Sequence, residues 1–216
     1  MSNIVLCKYK SWGYNSSNFL IKNKFRFEVG RKTIQSKSIV GSDIEVIDNE
    51  TISSSNQHFI GDVLDNNLNG MSLIENNIFN QPGAKTNDKM IGRGSAVWNW
   101  YSINTIVQYN QAINAKGILD SHGIHVDHSN VDTFIQYNYM QDCEGGFVEI
   151  LGGNQRAVYR FNISVNDGWR VNPNWVNSDH TIWLNDKIGG QSGHPSYESY
   201  IYNNTVVINK SGNDAF

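Results

Sequence analysis

Two acidic residues close similar short segments in the middle of the chain. Asp127 ends the segment GIHVD, and Glu149 ends the following segment GGFVE. If both segments are strands on neighbouring turns of a repeat, their carboxyl groups stack about 5 Å apart. Like charges at that distance raise one pKa and lower the other, which supplies one acid and one ionised carboxylate. Because retaining glycosidases use carboxyl groups at this separation, the pattern predicts cleavage of a glycosidic bond. The alternatives are that the pair only solvates an exposed strand face, or that it binds calcium or another ion.

Histidines surround Asp127. Three histidines and two aspartates fall between residues 120 and 128, and such a cluster can ligate a metal. On a strand, however, His125 and Asp127 share a face, while His128 lies on the other face or in the turn. We therefore expect no bound metal and assign His125 as a catalytic neighbour that binds substrate or relays a proton. Asp120 and His122 are expected to bind substrate.

Alignment of the repeated segments sorts the side chains by face. Because side chains alternate along a strand, the core-facing set is Ile124, Val126, Val148, Ile182 and Leu184. The outer surface then carries an aromatic column of His125, Phe147 and Trp183. Beside it runs a polar column of Asp65, Asn99, Asp127, Glu149 and Asn185. Phe147 should lower the local polarity and raise the pKa of Glu149, which makes Glu149 the acid and Asp127 the nucleophile.

Three inserted loops are expected along this array, near residues 80–95, 166–180 and 187–199. The second carries Trp169, Arg170 and Trp175. Long loops on one edge of a rigid stack commonly build a binding cleft, so these three residues join Asn99, Phe147, Trp183 and Asn185 as expected substrate contacts. The alternative is that the two tryptophans only anchor their own loop.

A recurring asparagine indicates the elements that position these residues. It follows a short apolar or aromatic run at Asn23, Asn49, Asn76, Asn110, Asn138, Asn162 and Asn203. Stacked turns would bring these amides into a hydrogen-bonded ladder. The sequence therefore predicts an all-β chain: one right-handed parallel β-helix over residues 1–216, with about seven or eight coils. Because neither end shows a polar cap, we expect a fragment of a longer helix.

Composition narrows the class of function. The net charge is −3 and 17% of residues are charged, so the chain lacks the basic field that nucleic acid binding requires. No apolar run is long enough to span a membrane. Two cysteines do not define a disulfide framework. The first residues carry no recognisable signal peptide, although a polysaccharide-degrading protein is expected to be secreted or periplasmic.

Two stretches carry a family resemblance, YNYMQDCEGGFVEILG and YRFNISVNDG. They resemble right-handed β-helix carbohydrate-active proteins of the pectate-lyase-like superfamily, over about residues 72 to 208. Among these, β-xylosidase-type glycosidases end one strand with Asp and the next with Glu. The resemblance implies that Asp127 is the nucleophile and Glu149 the acid/base. This chain departs from that pattern in reading HVD, with no aromatic residue before the aspartate.

Three functions follow as hypotheses. The first is a retaining glycoside hydrolase that uses Asp127 and Glu149 without a cofactor. The second is a polysaccharide lyase, which needs a base and a cation to neutralise a uronate carboxylate. Its candidate basic residues are Lys89, Arg93 and Arg170, with calcium held by Asp127 and Glu149. The third is a non-catalytic, polysaccharide-binding adhesin or tailspike-like protein.

Overall fold

Parallel β-strands make up the regular structure of the chain. The computed structural model describes residues 72–80, 95–99, 101–116, 121–169 and 180–210, with strand segments at 19–22, 26–28, 44–47, 50–52 and 59–61. These residues form three parallel sheets and contain no helix. The prediction of an all-β chain with parallel sheets is confirmed.

Each sheet takes every third strand in chain order, except at the start of the first two sheets, where the first and second members are two strands apart in the chain. The first sheet contains β1 (Phe19–Lys22), β3 (Ile44–Ile47), β6 (Ser72–Glu75), β9 (Ile103–Gln108), β12 (Val131–Gln136), β15 (Gln155–Arg160) and β18 (Tyr200–Tyr202). The second contains β2 (Arg26–Glu28), β4 (Glu50–Ile52), β7 (Ile78–Asn80), β10 (Gln111–Ile113), β13 (Tyr139–Gln141), β16 (Ile163–Val165) and β19 (Thr205–Val207). The third contains β5 (Phe59–Gly61), β8 (Val97–Asn99), β11 (Ile124–Val126), β14 (Val148–Ile150) and β17 (Ile182–Leu184).

Consecutive strands visit the three sheets in a fixed order. The chain passes through β9, β10 and β11, and the next three strands pair in parallel with these three in turn. The same holds for β15, β16 and β17 on the preceding triplet. A chain that returns repeatedly to the same three sheets is consistent with a solenoid.

Asparagine amides link the turns between the first and second sheets. Asn110 accepts a hydrogen bond from the backbone N–H of Asn77, and Asn138 and Asn162 repeat this bond at 3.0 and 2.9 Å. Asn204 continues the ladder by accepting from the N–H of Asn162. The predicted ladder is thus confirmed at Asn110, Asn138 and Asn162.

Two of the predicted ladder members are off by one residue. Asn76 and Asn203 precede the ladder residues Asn77 and Asn204 and occupy the left-handed region, with φ of 56° and 52°. In the other turns that position belongs to Tyr109, Tyr137 and Phe161, at φ of 56° each. Adjacent asparagines in the sequence hid this offset, because either one fits an amide ladder. Asn23 and Asn49 lie outside the described residues.

A second ladder joins the third sheet to the first, and the sequence pattern did not predict it. The backbone N–H of Ser102 donates to Oδ1 of Asn130 at 3.0 Å, and that of Asn130 donates to Asn154 at 2.9 Å. Asn154 in turn donates its N–H to Oγ of Ser196. Serine at both ends of the column breaks the asparagine repeat, so the pattern is weak in the sequence.

The core lies between the three sheets. Side chains from all of them pack there, including Ile74, Val107, Ala112, Ile124, Val126, Ile135, Met140, Val148 and Tyr159. The predicted core residues Ile124, Val126 and Val148 are fully buried. Ile182 and Leu184 are 47% and 59% exposed instead. They belong to β17, which among the described strands lies at the edge of the third sheet and pairs with β14 alone.

Two expectations from the sequence concerned membrane spans and cysteines. Nowhere in the described ranges is there a helix long and apolar enough to cross a membrane. Cys143 is a buried free thiol, and burial raises its pKa well above the ordinary range.

Candidate functional site

The third sheet brings the candidate residues together on one face. Within it, His125 pairs with Trp98, and Val126 pairs with Ile150. Equivalent side chains stack in parallel strands, so this register puts His125 beside Glu149.

Asp127 follows on the same face as His125. The indole Nε1 of Trp98 donates to its Oδ2 at 2.8 Å, while the Trp98 and His125 rings meet edge to face with centroids 6.2 Å apart. The four side chains, Trp98, His125, Asp127 and Glu149, form one contiguous patch.

The prediction that Asp127 and Glu149 occupy the same column is wrong. The bridge between His122 and Gly146 and the pairing of Val126 with Ile150 set the register two residues away from the one that the GIHVD and GGFVE segments suggest. The two carboxylates are therefore diagonal neighbours, about 8 Å apart between backbone positions and not about 5 Å.

Glu149 lies against two histidines. Its Oε2 is 2.7 Å from Nδ1 of His122 and 3.0 Å from Nε2 of His125. All three side chains are buried, with 1–8% of their surface exposed. Burying a carboxylate is costly without a compensating partner, and the two imidazoles supply one.

Two glycines allow His122 to reach this position. A Cβ on Gly145 would lie 2.7 Å from the backbone N of His122 and 2.9 Å from its Nδ1. On Gly146, whose φ is +130°, it would lie 3.2 Å from Nε2 of His122 and 2.2 Å from the carbonyl oxygen of His180. The glycine pair in GGFVE therefore clears the space that the His122 ring occupies.

Asp127 has hydrogen-bond donors on both carboxylate oxygens. The backbone N–H of His128 donates to Oδ1 at 2.7 Å, and the His128 ring nitrogen Nδ1 contacts the same atom. Trp98 supplies the donor to Oδ2. These contacts fix the orientation of the carboxylate.

The histidines set the charge state of both acids. Burial raises the pKa of Glu149, but the neighbouring charges of His122 and His125 together lower it by more, so it lies well below the usual range. For Asp127, burial also raises the pKa, and His128 and His125 together lower it below the usual value. Both groups are thus carboxylates near neutral pH.

This outcome corrects the expected role of Phe147. Glu149 was expected to have a raised pKa through that ring. Phe147 instead points into the core, where it packs edge to face on Tyr159 at 5.9 Å between centroids. In the observed register it aligns with the glycine of GIHVD, Gly123, and it does not face Glu149 or form part of an outer aromatic column.

The remaining predicted contacts divide into two groups. Asn99 is buried in register with Val126, and its Nδ2 donates to Oγ1 of Thr133 at 3.1 Å. It therefore stabilises the interior, and its assignment to the outer polar column is wrong. Trp183 pairs with Glu149 in register, which puts it beside the site, and its ring contacts that of His180 in a tilted arrangement with centroids 4.6 Å apart.

Asn185 and Trp169 are the two remaining predicted contacts within the described residues. The Oδ1 of Asn185 accepts from the backbone N–H of Lys187 at 2.9 Å, a local turn contact. Trp169 is half-buried, and its buried Nε1 has no hydrogen-bond acceptor. The other residues predicted to form or assist the site fall outside the described residues: Asp65, Lys89, Arg93, Asp120, Arg170 and Trp175.

Sequence reasoning missed Trp98 and Tyr159. The hydroxyl of Tyr159 donates toward the carbonyls of Ile124 and Glu149, at 2.9 and 3.2 Å, and so ties β11 to β14 beneath the site. Trp98 could have been identified from its alignment with His125. That alignment follows only when the strands of the third sheet are aligned with one another and not with the asparagine repeat.

The comparisons with known proteins give no match: no protein-family model, no curated protein and no solved structure matches the chain.

Proposed function

We propose that the chain is a right-handed parallel β-helix that cleaves glycosidic bonds in a polysaccharide or oligosaccharide. The observation that carries the proposal is the convergence of Asp127, His125 and Glu149 on one buried face of the third sheet. Right-handed coiling is supported by the strong preference of parallel β crossovers for that hand.

Asp127 is the carboxylate that faces the developing positive charge. Glycosidic cleavage passes through an oxocarbenium-like transition state, which a fixed anion stabilises. Donors from Trp98 and His128 hold both oxygens of Asp127 in place. An anion oriented in advance in a buried site stabilises such a charge more strongly than one in water.

The proton for the leaving oxygen is held between His125 and Glu149. Their atoms Nε2 and Oε2 are 3.0 Å apart, so a proton can pass between the imidazole and the carboxylate. His122 contacts the same oxygen and positions Glu149. A water molecule forms the new C–O bond at the anomeric carbon, and its proton returns to the His125–Glu149 pair. The diagonal offset of the carboxylates removes the spacing argument for retention, so the proposal concerns hydrolysis and not its stereochemical course.

A product assay tests this function. We expect new reducing ends when the protein is incubated with a panel of neutral and acidic polysaccharides, without ultraviolet absorption by an unsaturated uronate. The Asp127→Asn variant serves as the control for contaminating activity and should release none. Products equally abundant with this variant, or none with any glycan, would overturn the proposal.

A lyase on the same scaffold is the second candidate. The observation that favours it is the set of metal-ligating atoms at His122, His125 and Glu149, since a cation there could neutralise a uronate carboxylate. Its products carry the unsaturated uronate chromophore. Binding without either product would indicate a carbohydrate-binding protein, as an adhesin or tailspike-like role requires. For any of these functions on a polysaccharide, a secreted or periplasmic location is expected.

A further inference from the structure

Three ligand-type atoms converge around the carboxylate of Glu149. His122, His125 and Glu149 each offer one such atom, and these atoms lie within 4.8 Å of one another. Two of them are imidazole nitrogens and one is a carboxylate oxygen. His125 lies on β11, Glu149 on β14 and His122 in the segment just before β11. The pairing of β11 with β14 and the bridge between His122 and Gly146 hold them in place.

The buried His122 ring has a close polar neighbour in Glu149 but no well-aligned hydrogen bond. The residue is 2% exposed, yet neither ring nitrogen forms a hydrogen bond with acceptable geometry, although Nδ1 is 2.7 Å from Oε2 of Glu149. Oε2 is likewise buried without such a bond. Buried polar atoms are nearly always satisfied, so this arrangement suits a ligand that binds between them.

The donor types specify the ligand. Imidazole nitrogens suit zinc and neighbouring first-row metals, whereas calcium prefers about six to eight oxygen ligands. Two histidines and one glutamate, with the fourth position open, form one of the known zinc ligand sets. Tetrahedral ligands at about 2.1 Å from the ion lie about 3.4 Å apart. The two contacts of Glu149 Oε2, at 2.7 and 3.0 Å, need only lengthen slightly to reach this spacing.

We propose that His122, His125 and Glu149 form a binding site for one divalent transition-metal ion of the zinc type. The site shares Glu149 and His125 with the proposed reaction. An ion bound there engages Oε2 and blocks the proton path between His125 and Glu149. Metal binding therefore inhibits glycosidic cleavage. This inhibition rests on the proposed function, but the binding of the metal ion does not.

Calorimetric titration with Zn²⁺ alone tests the binding. After chelator treatment and dialysis, the wild-type chain should bind one ion, and His122→Gln and Glu149→Gln should bind it about 100-fold more weakly or not at all. The control His194→Gln removes an exposed histidine outside the cluster and should bind like the wild type. No binding by the wild type, or unchanged binding by folded His122→Gln, would overturn the site.

A spectroscopic measurement covers variants that fail to fold. Co²⁺ added to the wild-type chain should give visible absorption bands of a nitrogen- and oxygen-ligated ion, and Zn²⁺ should abolish them. Their absence overturns the proposal even if both cluster variants are unfolded. Zn²⁺ that binds without slowing cleavage contradicts the use of Glu149 in the reaction but leaves the metal site standing, so the two failures are distinguishable.

Discussion

Asp167 is a buried acid that the proposed site does not use. Its Oδ1 accepts from the backbone N–H of Cys143 at 2.8 Å, and its Oδ2 accepts from the hydroxyl of Ser164 at 2.6 Å. Burial raises its pKa to about 7, even though these bonds lower it. The folded chain thus keeps a proton on Asp167 that the unfolded chain loses at a lower pH.

This shift predicts a pH-dependent stability. Since the folded pKa is raised, the contribution of protonated Asp167 is present below about pH 4 and is lost as pH rises to about 7. Asp167→Asn should remove this loss, because an amide can accept from Cys143 and donate to Ser164. Urea unfolding at pH 5 and pH 8 measures this. The free energy of unfolding of the variant, relative to that of the wild type, should be higher at pH 8 than at pH 5 by on the order of a few kcal/mol.

A surface aspartate provides the matched control. Asp132 pairs with the guanidinium of Arg156, which lowers the pKa of the aspartate, and both side chains are partly exposed to solvent. Asp132→Asn should change the free energy of unfolding by less than about 1 kcal/mol at either pH. An Asp167→Asn variant with the same pH dependence as the wild type would contradict the assignment.

Trp183 carries a prediction for substrate binding. It is the register neighbour of Glu149 on the last strand of the third sheet, and its ring is partly exposed beside His180. Trp183→Ala should raise the Kd for the cleaved oligosaccharide about tenfold, as loss of an aromatic platform does. Fluorescence titration measures this, with Tyr197→Ala, which removes a 61% exposed ring, as the control. Unchanged affinity in Trp183→Ala would leave that ring a packing residue only.

At the scale of elements, the asparagine ladders stabilise the turns. Asn138 accepts from the N–H of Asn110 and donates to the carbonyls of Val107 and Gln136 and to the next amide, Asn162. Asn138→Ala leaves buried backbone groups unpaired and should lower the free energy of unfolding by about 1–3 kcal/mol. Cleavage by the folded protein should persist, because the ladder lies outside the third sheet.

Asn203 provides a comparison with Asn138, because it lies in an equivalent turn but is not a ladder residue. It precedes ladder residue Asn204 and adopts φ of 52°, which glycine tolerates. Asn203→Gly should therefore cost less than Asn138→Ala in chemical denaturation. Equal losses in the two variants would show that the amide ladder does not stabilise the turn.

The same elements explain what the sequence could and could not predict. Asn110, Asn138 and Asn162 recur after aromatic or apolar residues, so the ladder and the stacked parallel strands were predictable. The register of the third sheet was not. A shift of two residues keeps Ile124, Val126 and Val148 facing the core. The alternation of side chains therefore does not distinguish the predicted register from the observed one. Only the hydrogen bonds of the third sheet show that His125, and not Asp127, lies beside Glu149.

At the scale of the whole molecule, the stack gives the site its rigidity. Strands of all three sheets are spaced by parallel pairing, and both amide ladders tie successive turns together. The middle strands β8, β11 and β14 are buried on both faces. A rigid, water-poor environment of this kind strengthens the electrostatic interactions on which the proposed cleavage depends.

The most direct test of the proposed reaction compares two substitutions on two substrates. Initial rates of Asp127→Asn and Glu149→Gln are measured on the natural polymer and on an aryl glycoside with a good leaving group. Both variants should lose about 100-fold or more on the polymer. Glu149→Gln should lose less on the aryl glycoside, because its leaving group needs no proton, whereas Asp127→Asn should be impaired on both. Wild-type rates on the polymer in either folded variant would contradict the account.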